Sequence, residues 1–248
     1  KFFHFAHGVV YAAGAYFAYT LAISMGFHFL PSFFLATVFA ALLGLCIDRL
    51  IYSPLRQQNA SNLVFLIASF GIFIFLQNFI QILYGAQILT IRTGPIQEGY
   101  SIFSAVITPI QIIILTFSVI LMFFLWFFIQ RTKLGKSMRA VSDDPMAASV
   151  VGIYPEKTIL LVFAIGSALA GVASILISLE TNIEPTMGFS AILKGMIASI
   201  IGGIGSIPGA MVGGFSWGSL RTWASGRFRP GGRTPSPLPF YCLNALRG

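Results

Sequence analysis

Residues 131–157, RTKLGKSMRAVSDDPMAASVVGIYPEK, decide how the rest of the chain is read. They form the longest polar interval before the C-terminal tail, between strongly apolar flanks. Arg131, Lys133, Lys136, Arg139 and Lys157 stand here beside Asp143, Asp144 and Glu156, in a chain only 9% charged. A soluble domain carries about 25% charged residues. At 56% hydrophobic over 248 residues, with mean hydropathy +0.86, the chain reads as a membrane protein. The expected fold is all-α, a polytopic transmembrane helical bundle of about five full spans plus a Gly-broken helical segment. The polar stretch is then an ordered loop between spans, available to another protein.

The net charge of +8 would point a soluble protein toward nucleic acid. In a polytopic protein it reflects Lys and Arg held in cytoplasmic loops, and no nucleic-acid partner is expected. Cys46 and Cys242 make neither a redox pair nor a metal motif, and no disulfide between them is expected. Residues 1–30 show no cleavable signal pattern. Because the chain begins with Lys1, a cut or incomplete start is expected.

An apolar helix needs about 20 residues to cross roughly 30 Å of hydrocarbon. Residues 5–27, 32–51, 63–84, 106–129 and 158–179 meet that requirement. The first is rich in small residues, and Gly14 with Ala18 forms a small-xxx-small pair for close helix approach. His7, Gly8, Gly14 and Tyr16 are candidates for packing or for a translocation path. Asp48 and Arg49 are expected at an interface, followed by a polar turn over 52–62. Gln77 and Gln81 share one helix face, which should meet protein or water rather than lipid. Residues 85–104 read as an outside loop holding a short strand or hairpin. The fifth span carries Gly166, Ser167, Ala170, Gly171 and Ser174 for close packing.

The segment 189–220 differs. Gly202, Gly203, Gly205 and Gly209, with Pro208, interrupt any helix there, and neither flank reaches span length. A broken helix or re-entrant hairpin is expected, and such backbone survives at membrane depth only against protein or a wet cavity. Lys194 is its one basic residue, either lining a path or snorkelling to headgroups. Residues 1–220 are taken as the transmembrane domain and 221–248 as an irregular Pro/Arg-rich tail.

Orientation follows from charge. Loops 48–62 and 131–157 hold Arg49, Arg56 and the five cations named above. Loops 28–31, 85–104 and 180–188 hold Arg92 alone. The two rich loops are therefore placed in the cytoplasm.

Within the central loop, residues 139–152 can form a short helix. Asp143 or Asp144 caps it, Pro145 suits its first position and Gly152 stops it. Met146, Ala147, Val150 and Val151 give an apolar stripe, suited to a partner's groove or to the membrane surface.

Met146-Ala147-Ala148, three residues and Gly152 resemble the EAA-x-x-x-G core of ATP-binding cassette importer permeases, with Met146 in place of the Glu. GKSMRAVSDDPMAASVVGI is similar to the corresponding loop of the branched-chain amino acid permeases of that class. FAHGVVYAAGAY at 5–16 and PTMGFSAILKGMIASIIGGIGSIPGAMVGG at 185–214 resemble two further blocks of that family, in the same order. The resemblance implies a multi-pass inner-membrane subunit that moves branched-chain amino acids. Its implied partners are cytoplasmic ATPase subunits, a homologous second permease, a periplasmic substrate-binding protein and membrane lipid.

Arg139, Asp143, Asp144, Pro145, Met146, Ala147, Ala148 and Gly152 would then form the ATPase-coupling loop. His7, Lys194, Gly202, Gly203 and Gly205 fall in the matching blocks. The chain would be no enzyme and bind no cofactor, because ATP would sit on partner subunits. It has no GxxxxGK[ST] phosphate loop. No metal site is expected. The family's usual leading helix and last span have no counterpart in this sequence, so a fragment or an altered C-terminus is expected.

Permeases for urea or short amides share these blocks and remain an alternative. An autonomous channel or secondary carrier would favour buried acids for ion coupling, whereas the acids here lie in loops or at span ends. A membrane-embedded enzyme finds no support in His4, His7 and His28, which lack metal or triad spacing.

Overall fold

Five apolar stretches become five helices long and apolar enough to cross a membrane, in a computed structural model that describes residues 4–92, 100–102, 105–203 and 205–227. In chain order these residues form α1 (Ala6–Tyr19), α2 (Phe29–Ile47), α3 (Ser53–Gln57), α4 (Asn62–Tyr84), β1 (Tyr100–Ile102), β2 (Ala105–Ile107), α5 (Pro109–Arg131), α6 (Lys133–Asp143), α7 (Pro145–Val150), α8 (Pro155–Glu180), α9 (Met187–Gly202) and α10 (Ile207–Arg227). The chain divides into two units. One comprises Lys1–Thr93 with Leu121–Ile192, the other Gly94–Ile120 with Leu193–Gly248.

In the first unit α8 packs on α1 and α2, and small residues make the seam. A Cβ on Gly44 of α2 would fall 1.8 Å from the Ser167 hydroxyl of α8. One on Gly14 would fall 2.8 Å from the Gly171 Cα, and one on Gly171 2.7 Å from the Ala40 Cβ. The helices therefore meet backbone to backbone, as small residues allow in lipid, where dispersion rather than water release drives association. Two buried hydroxyls of α8 bond back along their own helix: Ser174 donates to the Gly171 carbonyl at 2.8 Å and Ser178 to the Ser174 carbonyl at 2.6 Å. They add polarity without needing a partner from another helix. The outward faces keep large apolar side chains exposed, such as Phe34, Phe75 and Ile82.

Contacts at the two ends of this unit fix the direction of each span. At one end His4 Nδ1 lies 2.9 Å from the Tyr52 hydroxyl, and Arg56 bonds Glu156. At the other, Thr20 meets the Tyr84 hydroxyl at 2.6 Å, Leu89 pairs with Ile183, and Arg92 bonds the Glu180 carbonyl. The loops 48–62 and 131–157 therefore share one end, as the charge pattern requires. Tyr52, fully buried, packs there against His4, Phe65 and Phe163. Burial, with His7 alongside, pushes the His4 imidazole down to about 3, so the ring stays neutral at physiological pH.

Several boundaries differ from the sequence-based expectation. The second span does not stop at 51: a π-helical turn over Asp48–Tyr52 carries the helix into α3, through the first half of the expected polar turn. The reason is that Asp48 is neutralised in place by Arg56. The fourth span begins at Pro109 rather than at 106, because Val106 and Ile107 lie in the β1–β2 hairpin. Proline suits a first helical position and disfavours helix before it. Thr108 and Gln111 bond reciprocally at 3.2 and 3.4 Å, a capping box.

In the second unit the expected break separates α9 from α10. Gly203 and Gly205 hold φ of +91° and +101°, open to glycine at little cost. Gly202 instead ends α9, while Pro208 and Gly209 lie inside the first turn of α10. A Cβ on Gly202 would meet the Gly209 carbonyl oxygen at 1.8 Å, so these glycines pack the two helices against each other. Helix α10 runs 21 residues, past both the expected flank length and the boundary drawn at residue 220. Positions 228–248 of the expected tail lie outside the described residues.

Replacing Gly44 with Leu should overpack the α2–α8 seam by about 1–3 kcal/mol. Gly71→Ala, where an added Cβ meets nothing within 4 Å, should be neutral or slightly stabilising. Thermal unfolding of the purified chain in detergent separates the two.

Candidate functional site

The polar stretch folds into two helices rather than one. Pro145 disfavours a helical conformation at the residue before it. Asp144 accordingly sits extended at φ −148° and ψ 108°, dividing the expected 139–152 helix. Upstream, Thr132 caps α6, its hydroxyl accepting from the Gly135 amide at 3.0 Å. Gly135 must be glycine, since a Cβ there would fall 2.3 Å from the Ile129 carbonyl oxygen. Helix α6 is a feature that the sequence reading misses. Its apolar positions Leu134, Met138 and Val141 recur at helical spacing and were the available signal.

Helix α7 is pinned at both ends. The Asp144 carboxylate accepts from the Met146 and Ala147 amides at 2.8 and 3.1 Å. Pro145 occupies the first position, where it forfeits no hydrogen bond. At the other end the Gly152 amide donates to the Ser149 carbonyl at 3.1 Å and the Ile153 amide to the Ala148 carbonyl at 3.0 Å. With φ +84° at Gly152, this is a Schellman closure. Six residues are too few for a self-supporting helix, so the caps and the packing on α6 and α8 hold it.

That anchoring sets which side chains face outward. Ala148 is buried at 3% exposure and fixes the helix to the body. Met146, Val150 and Val151 stand 81%, 87% and 74% exposed, with Ala147 exposed among them. The expected stripe is therefore an exposed apolar knob, and Ala148 belongs to its foundation. Arg139 reaches back to the Gln130 side chain, and Asp143 ends α6, exposed.

Beside the knob lies a cluster that sequence reasoning overlooks. Arg56 Nη1 and Nη2 donate to the two oxygens of Asp48 at 2.8 and 3.1 Å. Its Nε and Nη2 donate to Glu156 at 3.2 and 3.0 Å. The signal was an acid ending an apolar run with an arginine eight positions on. At about 100° per residue those side chains would lie about 80° apart on an α-helix. The π turn absorbs one residue and brings them onto one face.

The remaining candidates lie elsewhere. On α1 the His7 ring is 3.3 Å from where a Gly166 Cβ would be, Gly8 backs onto Gly188, and Gly14 onto α8. Tyr16 is buried, with its ring 4.7 Å from that of Tyr84. Gln77 is half-buried and Gln81 exposed on α4. In the second unit, Lys194 is exposed on α9, upstream of Gly202, Gly203 and Gly205.

The fold is that of a multi-pass membrane protein with a short, capped helix between two spans. The chain belongs to the family described as "Branched-chain amino acid transport system / permease component", whose pattern matches residues 1–229. It is 37% identical over 238 residues to the high-affinity branched-chain amino acid transport system permease protein BraD of Pseudomonas aeruginosa, covering 91% of this chain and 77% of that protein. It is 36% identical over 235 residues to LivH of Escherichia coli K12, a high-affinity permease protein of the same kind, covering 90% and 76%. A probable LivH of Methanocaldococcus jannaschii is 34% identical over 219 residues, covering 86% and 68%. No solved structure matches the chain.

Arg56→Ala should cost about 3–5 kcal/mol, because it leaves the fully buried Asp48 charge without a partner. Asp48→Asn in that background should recover part of the loss. Glu156→Gln should cost about 1 kcal/mol or less, since Glu156 is 52% exposed. Thermal denaturation of the three variants in detergent checks the order.

Proposed function

We propose that this chain is the permease subunit of an ATP-binding cassette importer carrying branched-chain amino acids across the inner membrane. The observation that carries the reading is helix α7: an exposed apolar knob, capped at both ends, between two spans of a family permease. The names of BraD and LivH support the substrate class. Cytoplasmic ATPase subunits would grip Met146, Ala147, Val150 and Val151 in a groove. ATP would bind on those subunits. A homologous second permease would complete the substrate path, and a periplasmic binding protein would deliver substrate to it.

The loops 48–62 and 131–157 would face the cytoplasm. This agrees with their basic residues and with the end-to-end contacts of the first unit. The small-residue face of α1 would flank the path. The chemistry asked of this chain is mechanical: to receive a push at α7 and pass it to spans it grips closely.

The test uses the assembled complex in proteoliposomes with ATP inside and labelled leucine outside, where a binding protein can deliver it. Met146→Asp with Val150→Asp places two charges on the knob without touching Ala148. Central contacts of this kind are worth about 2 kcal/mol each, so ATPase co-purification should fall by at least tenfold and uptake with it, at unchanged thermal stability. Uptake that persists undiminished in the double variant contradicts the docking role. Uptake of urea in preference to leucine contradicts the substrate class.

A further inference from the structure

Arg56 joins two carboxylates that belong to different helical segments. Asp48 lies in the π turn that ends the second span, fully buried. Glu156 is the second residue of α8, four residues beyond the glycine that closes α7. A guanidinium is a rigid plane, and here two edges of it are in use. The Nη1/Nη2 edge holds Asp48 and the Nε/Nη2 edge holds Glu156, all four contacts between 2.8 and 3.2 Å. Such forks fix direction as well as distance, which a lysine ammonium cannot do.

Elsewhere α2 and α8 meet through small side chains such as Gly44 and Ser167, in close contact but with no directional polar bond between those two residues. At this end a cleft of about 550 Å³, lined by Arg49, Gln57, Lys157 and Leu161 among others, leaves α3 and the start of α8 apart. Arg56 bridges that gap.

We infer that Arg56 is a positioning residue that ties the exit of the α7 loop to the second span, so that a displacement of α7 moves α2 and α8 together. The inference rests on the permease reading above. The two carboxylates have separate tasks. Asp48 seats the arginine, and Glu156 takes hold of the loop side. Loss of Asp48 therefore undoes the fold locally, whereas loss of Glu156 releases the tie and leaves Asp48–Arg56 in place. Arg56→Lys keeps the positive charge over Asp48 but loses both forks.

The experiment has two readouts. The first needs no transport. In the full chain with Cys46→Ser and Cys242→Ser, spin labels on Gln57→Cys and Lys157→Cys report the gap between α3 and α8. The distance distribution should be narrow, and at least twice as broad in Glu156→Gln and in Arg56→Lys. A distribution unchanged in both overturns the tie.

The second readout is the number of ATP molecules hydrolysed per leucine imported by the complete complex. Glu156→Gln and Arg56→Lys should raise it at least threefold with protein yield and thermal stability maintained, and Glu156→Asp should restore part of the coupling. An unchanged ratio alongside a broadened distribution overturns the positioning role while leaving the tie and the permease reading intact. If the complex with the unaltered chain imports nothing in response to ATP, the permease reading fails, and the positioning role with it. The spin labels still decide the tie.

Discussion

A carboxylate buried at the end of a membrane span has to be neutralised where it sits, and the first unit is arranged around how Asp48 is neutralised. An isolated ion of this kind costs several kcal/mol to remove from water. Arg56 offsets that cost only because the helix continues past Asp48 through a π turn, which rotates position 56 back onto the same face. The same extension brings Tyr52 into the core beside His4, Phe65 and Phe163. It also brings a second edge of the guanidinium within reach of Glu156. One ion pair thereby sets the length of the second span, the packing at one end of the unit and the point where the α7 loop rejoins the bundle.

The small-residue seam complements this polar anchor. Gly14, Gly44, Gly171 and Ser167 remove side-chain bulk where α1, α2 and α8 meet. Such contacts have large area and little directional preference. The hydrogen-bonded cluster at the end is the opposite, small in area and strongly directional. A bundle built from both can stay closely packed while one defined point carries orientation. Helix α7 extends the same logic outward, with Ala148 buried as its anchor and Met146 and Val150 exposed.

Much of this was legible in the sequence, for physical reasons. The uninterrupted apolar runs located the spans, since little else places 20 such residues together. The Lys/Arg distribution anticipated which loops share an end, and Arg56–Glu156 at one end with Leu89–Ile183 at the other agrees. The caps of α7 are local, so Pro145 and Gly152 could be read directly and the N-cap narrowed to Asp143 or Asp144, of which the structure uses Asp144. What depended on the rest of the fold was harder. The continuation through Asp48 required a partner eight residues away and a change of helical pitch. The burial of Ala148, beside a stripe that faces outward, follows from packing on α6 and α8. Helix α6 was masked because its three apolar positions are outnumbered by Lys, Arg and Ser. The candidates His7, Gly8 and Gly14 fall into close contacts of α1, whereas Lys194 and Gln81 are exposed on their helices.

The capped knob of α7 is proposed as the point where an ATP-hydrolysing partner takes hold. Photo-cross-linking from a benzophenone side chain placed at position 150 in the assembled, membrane-embedded complex tests it most directly. One dominant adduct with the ATPase subunit is expected, and none with that subunit from position 50, where Leu50 is exposed on the second span at the same end. Adducts from position 150 that form only with lipid, or with no ATPase subunit, would contradict it.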